Sequence, residues 1–189
     1  MTLVEPSLTQ QEIARISARI DRPIVLVGLM GVGKSTVGRN LANVLGCAFV
    51  DADDEIEKAA QRKISEIFEE FGERYFRDGE RRVIARLMDQ CRGVIATGGG
   101  AFVDDETRAL ILNEAIVVWI DCDIDTLVER TGKRDTRPLL KTGDPREILT
   151  KLHSEREPYY SQAQVRVVSR DGPHIETAVS ILEAIDAWL

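Results

Sequence analysis

Residues 28–35 read GLMGVGKS and fit the pattern G-x-x-x-x-G-K-[ST]. The apolar run Ile24–Val27 precedes this stretch, and a helical pattern follows it from Lys34 to about Leu45, with Gly46 as its stop. Glycines at these spacings let backbone N–H groups turn toward phosphate oxygens, and the helix N-terminus favours the same negative charge. The chain is therefore predicted to contain a strand–loop–helix unit that binds the phosphates of a nucleotide.

The residues of this loop have distinct predicted roles. Lys34 would reach the outer phosphates of ATP, and Ser35 would offer its hydroxyl to Mg²⁺. The remaining predicted nucleotide-binding residues of the loop are Gly31, Val32, Gly33 and Thr36. The loop specifies a nucleotide but no reaction. A GTPase is disfavoured because there is no Asn-Lys-x-Asp signature, and 189 residues suit a small kinase better than a motor or transporter ATPase.

Strand and helix patterns alternate along the chain, which indicates βαβ units and a parallel sheet covered on both faces. Strands are predicted at 24–27, 48–50, 93–96, 115–120 and 165–168. Helices are predicted at 8–20, 34–45, 104–113, 123–130, 146–157 and 175–189, with two or three more over 54–90 and a break around Gly72. We expect a helical N-terminal extension at 1–21 and one kinase domain at 22–189. The polar loop 131–145 is long enough to be a lid over the site.

Two carboxylates follow the second predicted strand. Asp51 and Asp53 are two residues apart, so in extended backbone both side chains would point the same way. Strand ends face the ligand crevice of a parallel sheet, so the pair could hold Mg²⁺ through water, accept a proton from a substrate hydroxyl, or both. The alternative is an acidic helix start made by Asp53, Asp54 and Glu55.

Cations and glycines are placed where anionic ligands would need them. Arginine binds carboxylates and phosphates in bidentate fashion, although any of these side chains could instead be solvated at the surface. Gly98–Gly100 follows the third predicted strand and would let a ligand contact backbone N–H groups, unless it is a plain turn. The candidate cations are Arg74, Arg77 and Arg81 on one helix face, Arg130, Lys133, Arg134 and Arg137 around the long loop, and Arg156 at a predicted helix end.

Charge and composition restrict the partners. Lys plus Arg number 25 and Asp plus Glu 32, so the formal net charge is −7. An acidic chain repels nucleic acid and anionic membranes at long range, and neither is expected as a partner. The three cysteines match no metal or redox spacing, which is typical of a reducing compartment. We expect a cytoplasmic monomer that acts on a small molecule.

Six segments together resemble the shikimate kinase family. They are GLMGVGKST at 28–36, FVDAD at 49–53, YFRDGE at 75–80, TGGGA at 97–101, RTGKRDTRPLL at 130–140 and HSEREPYY at 153–160. Their order and spacing are similar to the family over about residues 22–175. The resemblance implies an α/β P-loop fold of the nucleoside-monophosphate-kinase type. This is a three-layer sandwich with a five-stranded parallel sheet in order 2-3-1-4-5 and helices on both faces.

The resemblance also implies an activity, namely transfer of the ATP γ-phosphoryl group to the 3-hydroxyl of shikimate in the pathway to aromatic amino acids. Lys34, Asp53 and Arg137 would be catalytic, with Arg137 reaching the phosphates from the lid. Shikimate would be bound through its hydroxyls by Asp53, through its carboxylate by Arg77 and Arg156, and by Gly98, Gly99 and Gly100. The remaining implied roles are Mg²⁺ binding by Ser35, Asp51 and Asp53, an adenine clamp of Arg130 and the 169–173 loop with Arg170, and support of Arg77 by Glu80.

Two other functions remain open at this point. Gluconate also carries a carboxylate and hydroxyls, so Arg77 and Arg156 do not exclude a gluconate kinase, and a nucleotide kinase is a related possibility. A regulator that binds ATP without turning it over would share the P-loop. The ordered DAD, FRDGE and RTGKRDTRPLL segments favour shikimate, and an intact Asp53 and Arg137 favour catalysis.

Overall fold

Five parallel strands form the central sheet of the protein. The computed structural model describes residues 8–133, 140 and 142–189. The strands are β1 (Ile24–Val27), β2 (Phe49–Asp51), β3 (Val94–Ala96), β4 (Ile116–Asp121) and β5 (Val165–Val168). Their order across the sheet is β2-β3-β1-β4-β5, and every neighbouring pair is parallel. The predicted sheet order is confirmed.

Eight helices are described around the sheet. Every residue of β1, β3 and β4 is buried, which requires that helices cover both faces of the sheet. No helix in the described part of the chain is both long and apolar enough to cross a membrane. The helices are α1 (Gln10–Arg19), α2 (Lys34–Leu45), α3 (Ala52–Ala60), α4 (Ile64–Gln90), α5 (Asp105–Glu114), α6 (Ile124–Gly132), α7 (Pro145–Tyr160) and α8 (His174–Trp188).

The first helix, α1, packs against the rest of the fold. Thr9 and Glu12 form a reciprocal capping box that satisfies backbone donors at its start. Ile16 is 0% exposed and belongs to the main hydrophobic core. Arg15 and Arg19 both form ion pairs with Asp186 of α8 at the surface. The N-terminal segment is thus helical over these residues, and its apolar face is part of the common core.

Two features of the long helices position the site. Gly72 interrupts α4 with φ 81° and ψ 174°, and the predicted break in this region is confirmed. The second half of α4 carries Arg77 and Glu80 toward the carboxyl ends of the strands. The prediction that α7 ends near residue 157 is wrong, because the helix continues through Pro158 to Tyr160. A proline removes one backbone donor, yet Ser161 N still bonds to the Glu157 carbonyl at 2.9 Å and the last turn closes.

Candidate active site

The P-loop, residues 28–35, joins β1 to α2 with little room for side chains. Gly33 has φ 96°, and a Cβ built there would lie 2.9 Å from Cε1 of His174. Gly28 has φ 143° and directly faces the Ile120 carbonyl of β4. Lys34 Nζ crosses the loop and donates to the carbonyls of Gly28 at 2.7 Å and Leu29 at 2.9 Å. The loop is therefore shaped by its own lysine and by contacts that only glycine permits.

A cavity of about 260 Å³ opens at this loop. The predicted nucleotide-binding residues Gly31, Gly33, Lys34, Ser35, Thr36 and Arg130 line it, together with Lys133 and His174. Val32 is buried in the core and contributes its carbonyl, which accepts from Arg130 at 3.3 Å. Six of the lining residues are glycines or carry hydroxyl or ammonium groups, all of which suit phosphate.

Arg130 links three parts of the nucleotide side. Its guanidinium donates to Val32 O of the P-loop, to Ser169 Oγ at 3.1 Å and to Arg170 O at 2.7 Å. The helix α6 is thereby tied to the loop that follows β5. The Arg170 side chain is exposed, and Arg170 accepts this hydrogen bond through its backbone carbonyl. The predicted adenine clamp thus has its two segments adjacent.

The backbone at Asp51 and Asp53 differs from the prediction. Asp51 ends β2 and caps α3, accepting from Asp53 N at 3.0 Å through Oδ1. Its other oxygen, Oδ2, accepts from Ser35 Oγ at 2.6 Å. Asp53 lies in the first turn of α3, so the prediction that Asp51 and Asp53 share extended backbone is wrong. Asp51 and Asp53 thus form part of the acidic start of α3, and the same two residues are the predicted site carboxylates.

Asp53 faces the glycine turn, residues 98–100. A Cβ on Gly98 would lie 2.9 Å from Asp53 Oδ1. Burial raises the pKa of Asp53 to about 6, the charge of Asp51 adds to this rise, and Lys34 opposes it. A carboxylate with a raised pKa is a better proton acceptor than an ordinary one.

Arg77 is held by a buried carboxylate. Glu80 is 1% exposed and accepts from Arg77 NH1 at 2.6 Å, while the exposed Glu73 lies 3.5 Å from the same guanidinium. Burial raises the pKa of Glu80 to about 7, and the charge of Arg77 counteracts the rise. The guanidinium directly faces Gly100, where any Cβ would collide with it. Arg77 therefore has a fixed direction toward the glycine turn.

The glycine turn brings the acceptor side of the site together. Each of its residues faces one candidate side chain: Gly98 faces Asp53, Gly99 faces Arg156 and Gly100 faces Arg77. A Cβ on Gly99 would lie 2.9 Å from Arg156 NH1 and 3.6 Å from the Gly28 carbonyl of the P-loop. The turn thus borders both the arginines and the phosphate loop.

A second cavity, of about 700 Å³, lies on this acceptor side. Four arginines and four carboxylates line it, and the guanidinium groups of Arg77 and Arg156 face the glycine turn, where they could bind an anionic group. Arg81 forms ion pairs with Asp78 and Glu106 at its wall. The lining residues are Glu73, Arg74, Arg77, Asp78, Arg81, Gly100, Val103, Asp104, Glu106 and Arg156.

Two predicted cations of the lid, Arg134 and Arg137, lie outside the described residues. The predicted loop 131–145 is described at its two ends, where α6 runs to Gly132 and α7 begins at Pro145. Lys133, at the first of these ends, pairs with Glu129 at 2.7 Å and lines the P-loop cavity. The role of Arg137 remains a prediction.

Comparison with known proteins decides the family. The family model described as shikimate kinase matches residues 30–186. A shikimate kinase from Novosphingobium aromaticivorans is 62% identical over 186 residues, which covers 96% of each chain. The chain belongs to the shikimate kinase family. The resemblance drawn from the six segments is confirmed.

Solved structures agree with the assignment to the shikimate kinase family. Shikimate kinase from Acinetobacter baumannii in complex with shikimate has a TM-score of 0.84 at 36% identity, covering 91% of this chain and 97% of that chain. A gluconokinase from Sinorhizobium meliloti has a TM-score of 0.56 at 18% identity over 90% of this chain and 97% of that one, and shows a shared fold alone. The predicted P-loop fold of the nucleoside-monophosphate-kinase type is confirmed.

Two residues at the site of this shikimate kinase family member were given no role from sequence. His174 begins α8 and lies against Gly33 in the P-loop cavity. Tyr160 ends α7, and its hydroxyl donates to the Gly99 carbonyl at 2.5 Å. A signal existed for Tyr160, since it closes the HSEREPYY segment, but a helix reaching past Pro158 was not expected. His174 had no local signal because its partner lies in a distant part of the chain.

Proposed function

We propose that this protein transfers the γ-phosphoryl group of ATP to the 3-hydroxyl of shikimate, giving shikimate 3-phosphate and ADP. One observation carries the proposal. The glycine turn holds Asp53, Arg156 and Arg77 side by side, one on each glycine, and the same turn borders the P-loop. An acceptor with a carboxylate at one end and hydroxyls at the other would thereby be presented to the phosphate cavity.

The acceptor carboxylate would be bound by Arg77 and Arg156. Guanidinium groups form paired hydrogen bonds with a carboxylate, and two of them fix its position and its plane. Glu80 and the fold keep Arg77 in place before the ligand arrives, which lowers the ordering cost of binding. Gly98–Gly100 would contribute backbone contacts at a distance that side chains would prevent.

Asp53 would bind the acceptor hydroxyls and orient the reacting oxygen. Phosphoryl transfer depends mainly on alignment and charge neutralisation, so a carboxylate that fixes the hydroxyl contributes even before any proton moves. The raised pKa of Asp53 suits it to take the hydroxyl proton as the oxygen–phosphorus bond forms.

The donor side fits ATP with Mg²⁺. Ser35 Oγ and Asp51 Oδ2 are hydrogen-bonded at 2.6 Å, which places a hydroxyl and a carboxylate oxygen at one point beside the P-loop. Magnesium in kinases is held by one or two such oxygens together with phosphates and water, and it neutralises phosphate charge. Asp51 is the stronger candidate ligand, because Asp53 is directed toward Gly98. Lys34 would add a fixed positive charge at the transferring group.

The remaining parts of the proposal rest on the sequence. Residues 22–189 would act as one kinase domain, with Arg137 closing on the phosphates from a lid at about 131–145. Water competes with the hydroxyl as acceptor, so a closing loop protects the reaction. The net charge of −7 supports a small-molecule substrate over nucleic acid, and we propose a cytoplasmic monomer.

A coupled assay of ADP release tests the function. The purified protein with ATP and Mg²⁺ is offered shikimate, quinate, gluconate or a nucleoside monophosphate, and we expect steady release with shikimate at the highest kcat/KM. Lys34→Ala is the control that removes the phosphate contact and leaves the acceptor side intact. A preference for gluconate would replace the proposed substrate, and ATP binding with no turnover of any acceptor would indicate a regulator.

Calorimetry separates the two ligand sites. Arg156→Ala is expected to weaken shikimate binding at least tenfold, because one carboxylate contact is lost in a partly desolvated site. ATP affinity is expected to stay within about twofold. Equal losses for both ligands would show that Arg156 does not bind the acceptor carboxylate.

A further inference from the structure

Tyr160 is one of the largest fully enclosed side chains of the protein. It ends α7, is 2% exposed, and its ring centroid lies 6.0 Å from that of Trp119 on β4. Its hydroxyl donates to the Gly99 carbonyl at 2.5 Å. An aromatic ring of this size would fill the space without its hydroxyl, so the polar group requires a separate explanation.

Arg156 shares this location. It precedes Tyr160 by four residues on α7, so both side chains lie on the same helix face. Burial raises the pKa of the Tyr160 phenol, while the Arg156 guanidinium beside it, through charge and hydrogen bonding, works against the rise. Gly99 faces the same guanidinium. The phenol and the guanidinium thus meet at one residue of the glycine turn, with Tyr160 bonded to the Gly99 carbonyl and Arg156 NH1 2.9 Å from the position of a Cβ on Gly99.

We propose that Tyr160 is a positioning residue that fixes Arg156 relative to the Gly98–Gly100 turn and so sets the geometry in which the acceptor carboxylate is bound. The inference rests on the proposed function, because it concerns the same acceptor site. The end of α7 would then hold Arg156 and the glycine turn in place relative to each other, which neither of them could do alone.

The physical reason is the flexibility of arginine. An arginine side chain loses considerable rotamer freedom when it binds, and a group that holds it beforehand reduces that loss. In the described part of the chain, Arg77 pairs with Glu80 and Glu73, whereas Arg156 pairs with no carboxylate. Tyr160 would do for Arg156 what Glu80 does for Arg77, without neutralising its charge. Arg156 would thus keep its charge available to the ligand.

The same hydrogen bond also acts on the glycine turn. A tripeptide of glycines has more backbone freedom than any other, and that freedom must be lost when a ligand contacts it. The bond from Tyr160 to Gly99 O restrains the middle residue of the turn. Both acceptor-binding elements therefore depend on one hydroxyl.

Tyr160→Phe tests the inference because it removes this hydroxyl and keeps the ring. We expect the KM for shikimate to rise about five- to twentyfold, which is typical of a lost hydrogen bond to a charged group. The KM for ATP should stay within twofold and kcat within about threefold. Tyr159→Phe is the matched control, since its ring lies 4.9 Å from Arg108 and outside the site, and it should behave as the wild type.

A double-mutant cycle with Arg156→Gln identifies the route of the effect. If Tyr160 acts through Arg156, removing its hydroxyl should change shikimate binding much less in the Arg156→Gln background than in the wild type. Additive effects would overturn the inference. Should Tyr160→Phe not fold, 3-fluorotyrosine introduced at position 160 keeps the shape and alters the donor strength, and an unchanged shikimate KM would likewise contradict it.

A crystal structure of Tyr160→Phe separates this inference from the proposed function. We expect a displaced Arg156 guanidinium, and an unmoved one together with a wild-type shikimate KM would overturn the role of Tyr160 while leaving the kinase activity standing. A wild-type protein that does not phosphorylate shikimate would overturn the proposed function instead. The position of Arg156 in the variant would still decide whether Tyr160 holds it.

Discussion

At the scale of single residues, the acceptor side combines carboxylates that are costly to bury with glycines that give them room. The pKa of Asp53 rises to about 6 and that of Glu80 to about 7, in both cases chiefly because burial disfavours the charged form. Burying these two carboxylates lowers the free energy of unfolding near neutral pH, because the folded protein retains protons that the unfolded chain would release.

Glu80→Gln should reveal this cost in the pH dependence of stability. The folded pKa of about 7 lies above the ordinary 4.5, so the folded state binds more protons between these values and the free energy of unfolding falls as pH rises. At 1.36 kcal/mol per unit, the contribution of Glu80 to this fall is at most about 3 kcal/mol. We expect urea unfolding from pH 5 to pH 8 to show that the free energy of unfolding declines less, or rises more, with pH in the variant than in the wild type.

Glu73→Gln is the control for this measurement. Glu73 also lies near Arg77, at 3.5 Å, but its side chain is 70% exposed and water solvates its charge. Its variant should follow the wild-type pH dependence. The same change of slope in both variants would mean that the charge of Arg77, and not the burial of Glu80, governs the effect.

Arg137→Ala tests the lid at the residue that the motif assigns to it. Arg137 lies outside the described residues, and the prediction rests on the sequence alone. A contact made mainly in the reacting complex lowers kcat when it is removed and affects ground-state binding less. We expect kcat to fall at least a hundredfold while shikimate affinity without nucleotide stays within a few-fold. Arg146→Gln, an exposed arginine of α7, is the control, and normal turnover of Arg137→Ala would contradict the lid.

At the scale of secondary-structure elements, local patterns predicted most of the fold. The strand Ile24–Val27, the helix Lys34–Leu45 and the strand Val165–Val168 have the predicted bounds, because each is a short apolar or periodic run ended by clear turn residues. Local patterns predicted less of the geometry of the site. Asp51 and Asp53 were singled out on the expectation of extended backbone, but the strand stops at Asp51 and Asp53 lies in the first turn of α3.

The rest could not be predicted because it depends on contacts between distant segments. A proline at position 158 indicated a helix end, yet burial of Tyr160 and its bond to Gly99 stabilise one more turn. The pairing of each glycine of the 98–100 turn with a side chain from another element is likewise a property of the folded chain. Family resemblance supplied the roles of these residues, and the geometry supplies the reason for their spacing.

Two glycines of α4 allow a test of how the helix is bent. Gly72 has φ 81° and ψ 174°, a conformation that side chains avoid, whereas Gly79 lies in regular helix, and a Cβ at either position would meet nothing within 4 Å. Gly72→Ala should therefore destabilise the fold by about 1–3 kcal/mol through backbone strain alone. Gly79→Ala should be neutral or stabilise by up to about 1 kcal/mol. Thermal unfolding distinguishes them, and equal effects would contradict a strained break.

At the scale of the whole molecule, α1 is integrated into the core, although it lies ahead of the P-loop unit in the chain. The apolar contribution of Ile16 and the ion pairs with Asp186 are its two kinds of contact with the rest. Burial of apolar surface stabilises far more than ion pairs at the surface do. The core residue is therefore expected to determine whether α1 stays attached.

Ile16→Ala should destabilise the protein by about 2–5 kcal/mol, as is usual for a truncated core side chain. Asp186→Asn should cost at most about 1 kcal/mol, because its partners Arg15 and Arg19 are exposed. Both values come from denaturant unfolding. If Asp186→Asn destabilised the protein more than Ile16→Ala, α1 would be attached mainly by its ion pairs and not through the core.

The two cavities have a consequence for the order in which ligands arrive. Among residues 8–133, 140 and 142–189, the cavity at the P-loop and the larger one beside Arg77 share no lining residue, and the turn at Gly99 borders Arg156 on one side and the P-loop on the other. If each cavity receives one substrate, as the proposed function requires, we expect shikimate and the nucleotide each to bind while the other site is empty. A single molecule that filled both cavities would have to pass the turn at Gly99, which lies between Arg156 and the Gly28 carbonyl of the P-loop.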